Sequence, residues 1–168
     1  MSTETISRIY VGTYAKYNSG NLAGDWLDLD DYDSADEFYK AALELHTDES
    51  DPELMFQDWE GIPREYISES SLSPEFFARR EIIEKSYLDE EVFNAAAELD
   101  IPADQVEDAY VGSYSSDEDF AYELAEGCGY LAQMPKAIRY YFDANAFARD
   151  LMINDYQEQD GHYFRRDW

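Results

Sequence analysis

The sequence predicts an α+β fold, and three observations predict it. The first and last thirds of the chain carry runs of β-branched and aromatic residues, among them Ile6 to Tyr14 and Ala109 to Tyr114. Helix-start signals stand between and after them, each a serine or aspartate followed by apolar residues at helical spacing. Tyr, Phe and Trp number 15, 9 and 3, and hydrophobic residues make up 45% of the 168 residues. That is enough apolar surface to bury a core, even at a formal net charge of −27.

Taken in order, Ile6 to Tyr14 (ISRIYVGTY) reads as a strand and Lys16 to Gly24 as a Gly/Asn loop. Trp26 to Asp30 alternates, with Leu27 and Leu29 on one side and Trp26, Asp28 and Asp30 on the wet side. Ser34 and Glu37 form a capping box. The helix they open places Phe38, Ala41, Ala42 and Leu45 on one face. Leu54 to Trp59 is a third strand, and Gly61 and Pro63 mark a boundary. Ser73, Pro74 and Glu75 start a helix that runs to about Lys85. Asp89 caps another, with Val92, Phe93, Ala96 and Leu99 inward, and Pro102 opens a short turn of helix through Val106.

Ala109 to Tyr114 (AYVGSY) repeats four of the six residues of Ile9 to Tyr14 (IYVGTY) and predicts a second sheet. Ser116 caps a helix to about Glu126, with Phe120 and Leu124 inward, and Gly127-Cys128-Gly129 ends it. Asp143 caps a helix carrying Ala146, Phe147, Leu151 and Met152. Asp160-Gly161 is a hairpin turn before a closing strand, His162 to Arg166. The expectation is an elongated chain of three small subdomains. They are an α+β part at 1–61, a helical part at 62–104 and a second α+β part at 105–168.

The charge is spread over all three. Residues 1–60 carry net −12, residues 61–104 net −7 and residues 105–168 net −8. An acidic tail on a neutral domain is therefore excluded. Such a body repels nucleic acid and anionic membranes, so neither is expected as a direct partner, and a basic protein surface is. Duplex DNA carries one charge per ~1.7 Å, so 27 net charges equal those of roughly 46 Å of duplex. A folded body with this charge can occupy a DNA-binding groove, with carboxylates standing where phosphates sit. Adaptation to high salt is the competing reading of the same composition, which includes only four lysines.

The single cysteine, Cys128, excludes an internal disulfide and a cysteine zinc site. The opening MSTETISRIY shows no export signal, and no apolar run approaches the ~20 residues of a membrane helix, so a cytoplasmic protein is expected.

No catalytic or metal pattern rises above this background. With 39 carboxylates, close pairs are unavoidable and say nothing about acid–base catalysis. An EF-hand counted from Asp28 has Asp33 and Tyr39 where glycine and glutamate belong, so no metal site is assigned. His46 and His162 lie in no ligand spacing, and both are expected to be solvated. Nucleophile-elbow and phosphate-loop patterns are missing, so no catalytic residue and no cofactor is assigned.

Four segments, RIYVGTYAKYNSG (8–20), GDWLDL (24–29), ESDPELMFQDWEGIP (49–63) and YFDANAFARDLMIND (141–155), occur in an order and spacing that resemble the ArdA family of antirestriction proteins. The resemblance covers essentially the whole chain. It implies a non-enzymatic, plasmid- or mobile-element-encoded DNA mimic. Such a protein fills the DNA groove formed by the specificity and modification subunits of type I restriction–modification enzymes and protects incoming DNA. It also implies a curved three-part rod that dimerises through its C-terminal part, with Tyr122 to Pro135 as the antirestriction segment. On this reading the phosphate mimics are Asp25, Asp28, Asp30, Asp31, Asp33, Asp36, Glu37, Asp48, Glu49 and Asp51 in the first part. Glu69, Glu75, Glu84, Glu90 and Glu91 serve in the second, and Asp117, Glu118, Asp119, Glu123 and Glu126 in the third. Tyr110, Val111 and Tyr114 are the expected homodimer contact. The alternative is an acidic module for another basic protein of histone-like type.

Overall fold

The computed structural model describes residues 6–168. The reading of the first ten residues as free of an export signal therefore lies partly outside the described residues. Chain contacts divide the molecule into two units, one ending at Glu81 and the other running from Ile82 to Trp168.

The first unit is built on strand β1 (Arg8–Thr13), flanked on its two edges by β2 (Asp25–Asp28) and β3 (Leu54–Glu60), all antiparallel. Ile9 and Val11 point to one face and are fully buried there with Phe56, Leu29 and Phe38. Helix α2 (Ala35–Glu44) supplies Phe38 and Ala42 to that core. Ser34 caps the helix, its Oγ accepting from the Glu37 amide at 3.3 Å, and Glu37 reaches back past the cap to accept from the Asp33 amide at 2.9 Å, one residue before the partner a strict capping box uses. Segment 62–77 closes the same core with Ile62, Ile67, Leu72, Phe76 and Phe77. Helix α3 (Glu75–Lys85) carries the chain across the boundary between the units.

Two local differences from the sequence reading have visible causes. Residues 14–18, expected as the end of the first strand at Tyr14 and as loop from Lys16, form helix α1 (Tyr14–Asn18), because Thr13 caps it by accepting from the Lys16 amide at 3.2 Å. The strand expected over 26–30 ends at Asp28. Asp28 Oδ1 accepts from the Asp30 amide at 3.0 Å and turns Leu29–Asp31 into one turn of 3₁₀ helix.

The second unit holds α4 (Glu90–Glu98), a 3₁₀ turn (Ala103–Gln105), α5 (Val106–Ala109) and a second antiparallel sheet. In that sheet β6 (His162–Arg165) lies between β4 (Tyr110–Ser113) and β5 (Tyr156–Gln159). Asp160 and Gly161 join β5 to β6 with φ of 51° and 82°, the left-handed pair that such a two-residue hairpin requires. Helices α6 (Asp117–Gly127) and α9 (Ala144–Asn154) pack together, and two short helices, α7 (Tyr130–Gln133) and α8 (Lys136–Arg139), connect them. Ser116 Oγ caps α6 through the Asp119 amide at 3.1 Å, and Asp143 caps α9 through the Ala146 amide at 3.1 Å. Asp89 sits at the start of α4, but its carboxylate makes no capping bond.

One core of this unit centres on Phe93, Ala96, Val106 and Phe164. The other centres on Phe120, Tyr163, Ala148 and Leu151. The two echoing hexapeptides are strand over Ile9 to Thr13 and Tyr110 to Ser113, and both break register just after the first tyrosine, at Tyr10/Val11 and at Tyr110/Gly112. They differ in place, since β1 is central and β4 is an edge. The whole is the α+β fold expected.

Candidate functional site

Carboxylates dominate the surface, and the fold holds them in place. Of the twenty singled out in the sequence, only Asp28 and Glu49 are even half-buried, and the other eighteen are exposed. The densest run is Asp25 to Glu37, which passes through β2, the 3₁₀ turn and the first turn of α2. Leu29, fully buried, pins that run from below, while Asp30 and Asp31 point out. Arg80 on α3 clamps the same turn by donating to the carbonyls of Leu29 at 2.7 Å and Tyr32 at 2.6 Å. Its guanidinium also lies 3.9 Å from Asp30 and 5.0 Å from the Phe77 ring centre. The acids of this run thus stand on a braced backbone, which lowers the ordering cost of binding a partner.

Asp48 and Glu49 belong to a second assembly, and His46 is its centre. The sequence reading placed His46 in solvent. It is instead 1% exposed, below strand β1. Its Nε2 lies 3.1 Å from the Val11 carbonyl, which can only accept, so Nε2 carries the proton. Its Nδ1 then accepts from Lys16 Nζ at 2.8 Å. Lys16 also donates to Asp48 at 2.9 Å, and this bond holds the Asp48 carboxyl below its usual range. Thr13 donates its hydroxyl to Glu49 at 2.6 Å. The histidine was missed because its partners lie 30 and 35 residues away, on α1 and β1.

In the second unit the acids crowd helix starts. Glu90 and Glu91 begin α4, and Asp117, Glu118 and Asp119 begin α6, where the amide ends of the helix favour negative charge. On α6, Phe120, Ala121 and Ala125 face the core, while Glu123 and Glu126 are exposed. Asp117 has a structural task as well, since it accepts the Tyr163 hydroxyl at 2.7 Å. Burial, with that bond, pushes the Tyr163 phenol well above its ordinary value. Glu69, Glu75 and Glu84 are exposed on and before α3.

Asp58 and Glu60 were passed over in the sequence. They flank the core-facing Trp59 on β3 and so stand on the opposite, outward face of the first sheet. The alternation in QDWE was the available signal, but the third strand had been expected to stop at Trp59. Among the described residues no group of three or more His, Cys, Asp or Glu is arranged to hold a metal ion. Cys128 is exposed and ends α6, its amide donating to the Leu124 carbonyl at 2.9 Å.

The amino-acid sequence that folds into this acidic surface has a match among protein families. The family model described as antirestriction protein (ArdA) aligns with residues 9–165. The chain belongs to the ArdA family. Its activity is therefore antirestriction, exerted on restriction enzymes. No curated protein is similar enough to be matched to it. Among the described residues no helix is long and apolar enough to cross a membrane.

The tyrosines of this ArdA chain fall into two groups. Tyr110, Val111 and Tyr114 are half-buried in the second unit. Tyr110 lies 5.5 Å from the Phe164 ring, Tyr114 lies 5.2 Å from Phe120 and 5.5 Å from Tyr163, and Val111 packs on the same core as Tyr114. The outward group is Tyr17, Tyr87, Tyr122, Tyr130, Tyr140 and Tyr141, with Tyr140 and Tyr141 90% and 79% exposed. Tyr122 to Pro135 covers the second half of α6 and all of α7. In its middle, Gly129 takes a left-handed φ of 75°, which a residue with a Cβ adopts at a cost.

Proposed function

We infer that this ArdA protein is a DNA mimic. It occupies the DNA-binding groove formed by the specificity and modification subunits of a type I restriction–modification enzyme, and so shields incoming mobile-element or plasmid DNA in the cytoplasm. The observation that carries this reading is the placement of carboxylates. They lie on both units, almost all exposed, on strands, turns and helix starts rather than on a tail. A basic groove built for phosphates gains ion pairs from such a surface and releases its own bound anions. The mechanism is stoichiometric occlusion, with no bond made or broken, no cofactor and no direct contact with nucleic acid. Function is carried in three successive parts, 1–61, 62–104 and 105–168. The chain acts as a homodimer through the last of these, which doubles the length of duplex imitated.

The test is competition. Labelled duplex bound to a purified type I methyltransferase core is titrated with the protein, and the reverse titration is made with unlabelled duplex. The expected result is mutual displacement with one competitive constant. Binding to the enzyme–DNA complex without displacement overturns the reading. A histone-like protein in place of the enzyme core is the control, and equal affinity for it favours a general acidic module. Sedimentation at micromolar concentration is expected to give about twice the monomer mass of 19.5 kDa.

A further inference from the structure

The outward face of the first sheet carries an arrangement that mimicry by charge alone does not need. Register places six side chains there in two rows. Trp26, Tyr10 and Asp58 lie opposite one another across the three strands, and beside them lie Asp28, Arg8 and Glu60. The Arg8 guanidinium sits over the Trp26 ring, 4.4 Å from its centre. Its Nε donates to Glu60 Oε2 at 2.8 Å, which holds the Glu60 carboxyl below its usual range. Tyr10 meets Trp26 edge to face at 5.6 Å and is itself fixed by its hydroxyl, which donates to the Leu22 carbonyl at 2.7 Å. The platform is therefore rigid, and helix α2 packs on the other face of the sheet.

A flat guanidinium, an aromatic face beneath it and a carboxylate at its edge are the parts of an arginine-binding site. Here three carboxylates, Asp28, Asp58 and Glu60, surround one cation, so the face keeps a net negative charge with Arg8 in place. A surface built only to imitate phosphates has no use for a half-buried tryptophan under an arginine on its outward face. Groove linings that hold DNA backbone are themselves rich in arginine.

We propose that the outward face of the first sheet is a guanidinium-binding surface, that Arg8 is its resident occupant, and that an arginine of the basic partner takes Arg8's place over Trp26 between the carboxylates. The exchange trades one stacked guanidinium for another. Arg8 is released to water while the partner's arginine is desolvated on the platform. Lysine is a poor substitute, because its ammonium is strongly hydrated and does not stack. Arg8 thus acts as an internal competitor that filters partners for arginine. The proposal rests on the DNA-mimic reading for the identity of the partner, but the site can be tested apart from it.

The probes are capped triarginine and capped trilysine peptides, equal in charge. The readout is the indole N–H signal of Trp26 in a nitrogen–proton correlation spectrum, assigned with Trp26→Phe. The Trp59 indole, on the core side, reports that each variant is folded. Triarginine is expected to shift the Trp26 signal and to bind about two- to fivefold more tightly than trilysine. Arg8→Lys keeps the net charge, so it is expected to tighten triarginine binding by a similar factor. Arg8→Gln is expected to tighten it more than Arg149→Gln, the same charge change at an exposed arginine of the other unit. Equal affinity for the two peptides with Trp26 unmoved, or equivalence of Arg8→Gln and Arg149→Gln, overturns the proposal. Inhibition of a type I enzyme by the unaltered protein is measured alongside. Inhibition with a failed peptide test removes only this site, while a positive peptide test without inhibition removes only the mimic reading.

Discussion

His46 is the clearest case of a residue whose chemistry is set by distant neighbours. Buried, it bonds one carbonyl and one ammonium, and it thereby ties α1 and the segment after α2 to strand β1. Replacing it by an apolar residue of similar size takes the ring N–H from the Val11 carbonyl and one acceptor from Lys16, which keeps Asp48. His46→Leu is expected to cost about 1–3 kcal/mol of stability, the usual penalty for unsatisfied buried polar groups, read from the midpoint of urea unfolding. The tyrosines supply a pH signature. Burial is the first cause that raises the phenols of Tyr32, Tyr66, Tyr110, Tyr156 and Tyr163. A group whose folded value exceeds its unfolded one stabilises the fold fully below the unfolded value, about 10 for tyrosine, and that contribution drains as pH rises past it. Phenolate absorbance is therefore expected to rise in two steps between neutral and strongly alkaline pH. The delayed step should coincide with loss of near-ultraviolet circular dichroism.

Helix caps let the element scale be tested cleanly, because the chain holds caps with and without the bond. Ser34 and Ser116 accept from amides of α2 and α6, while Asp89 stands at the start of α4 without doing so. Ser34→Ala and Ser116→Ala are each expected to lower stability by about 1 kcal/mol, and Asp89→Ala by clearly less. Equal losses at all three positions would show that the capping bond is not what matters. The same contrast explains how much could be read from the sequence. Helices that open on a serine start signal were legible to within a residue or two at Ala35–Glu44, Glu75–Lys85 and Asp117–Gly127, the last also by the glycines at its end. Helix α1 was not, because its cap, Thr13, reads as the end of a β-rich run. Strand β5 was not, because YQEQ has no apolar alternation and becomes a strand only by pairing with β6. For the surface, the acids were legible as a population. The Arg8–Trp26 platform was not, since it exists only once two strands set Arg8 opposite Asp28 and Tyr10 opposite Trp26.

At the scale of the whole molecule one quantity acts in two directions. A net charge of −27 on a folded body is self-repulsion in the free protein and attraction toward a basic groove. Salt screens both, with a Debye length near 8 Å at physiological ionic strength and about 3 Å at 1 M. Between 50 mM and 500 mM sodium chloride the melting temperature of the free protein is therefore expected to rise while its affinity for the restriction enzyme falls. The affinity should fall along a straight line on log–log axes, as for DNA. An apolar interface would leave the affinity flat and separate the two trends. The same reasoning fixes how mutations should combine. An exposed ion pair is typically worth ~0.2–1 kcal/mol, and a tenfold loss of affinity needs ~1.4. Any single Asp→Asn or Glu→Gln change among the exposed acids is expected to cost less than about tenfold. Asp30, Asp31, Asp33 and Asp36 neutralised together should lose the product of their separate factors, provided the sites act independently. The panel is read by competition binding, with circular dichroism to confirm folding. If one folded single variant abolishes inhibition while such clusters stay silent, the distributed mimic gives way to a focused hot spot.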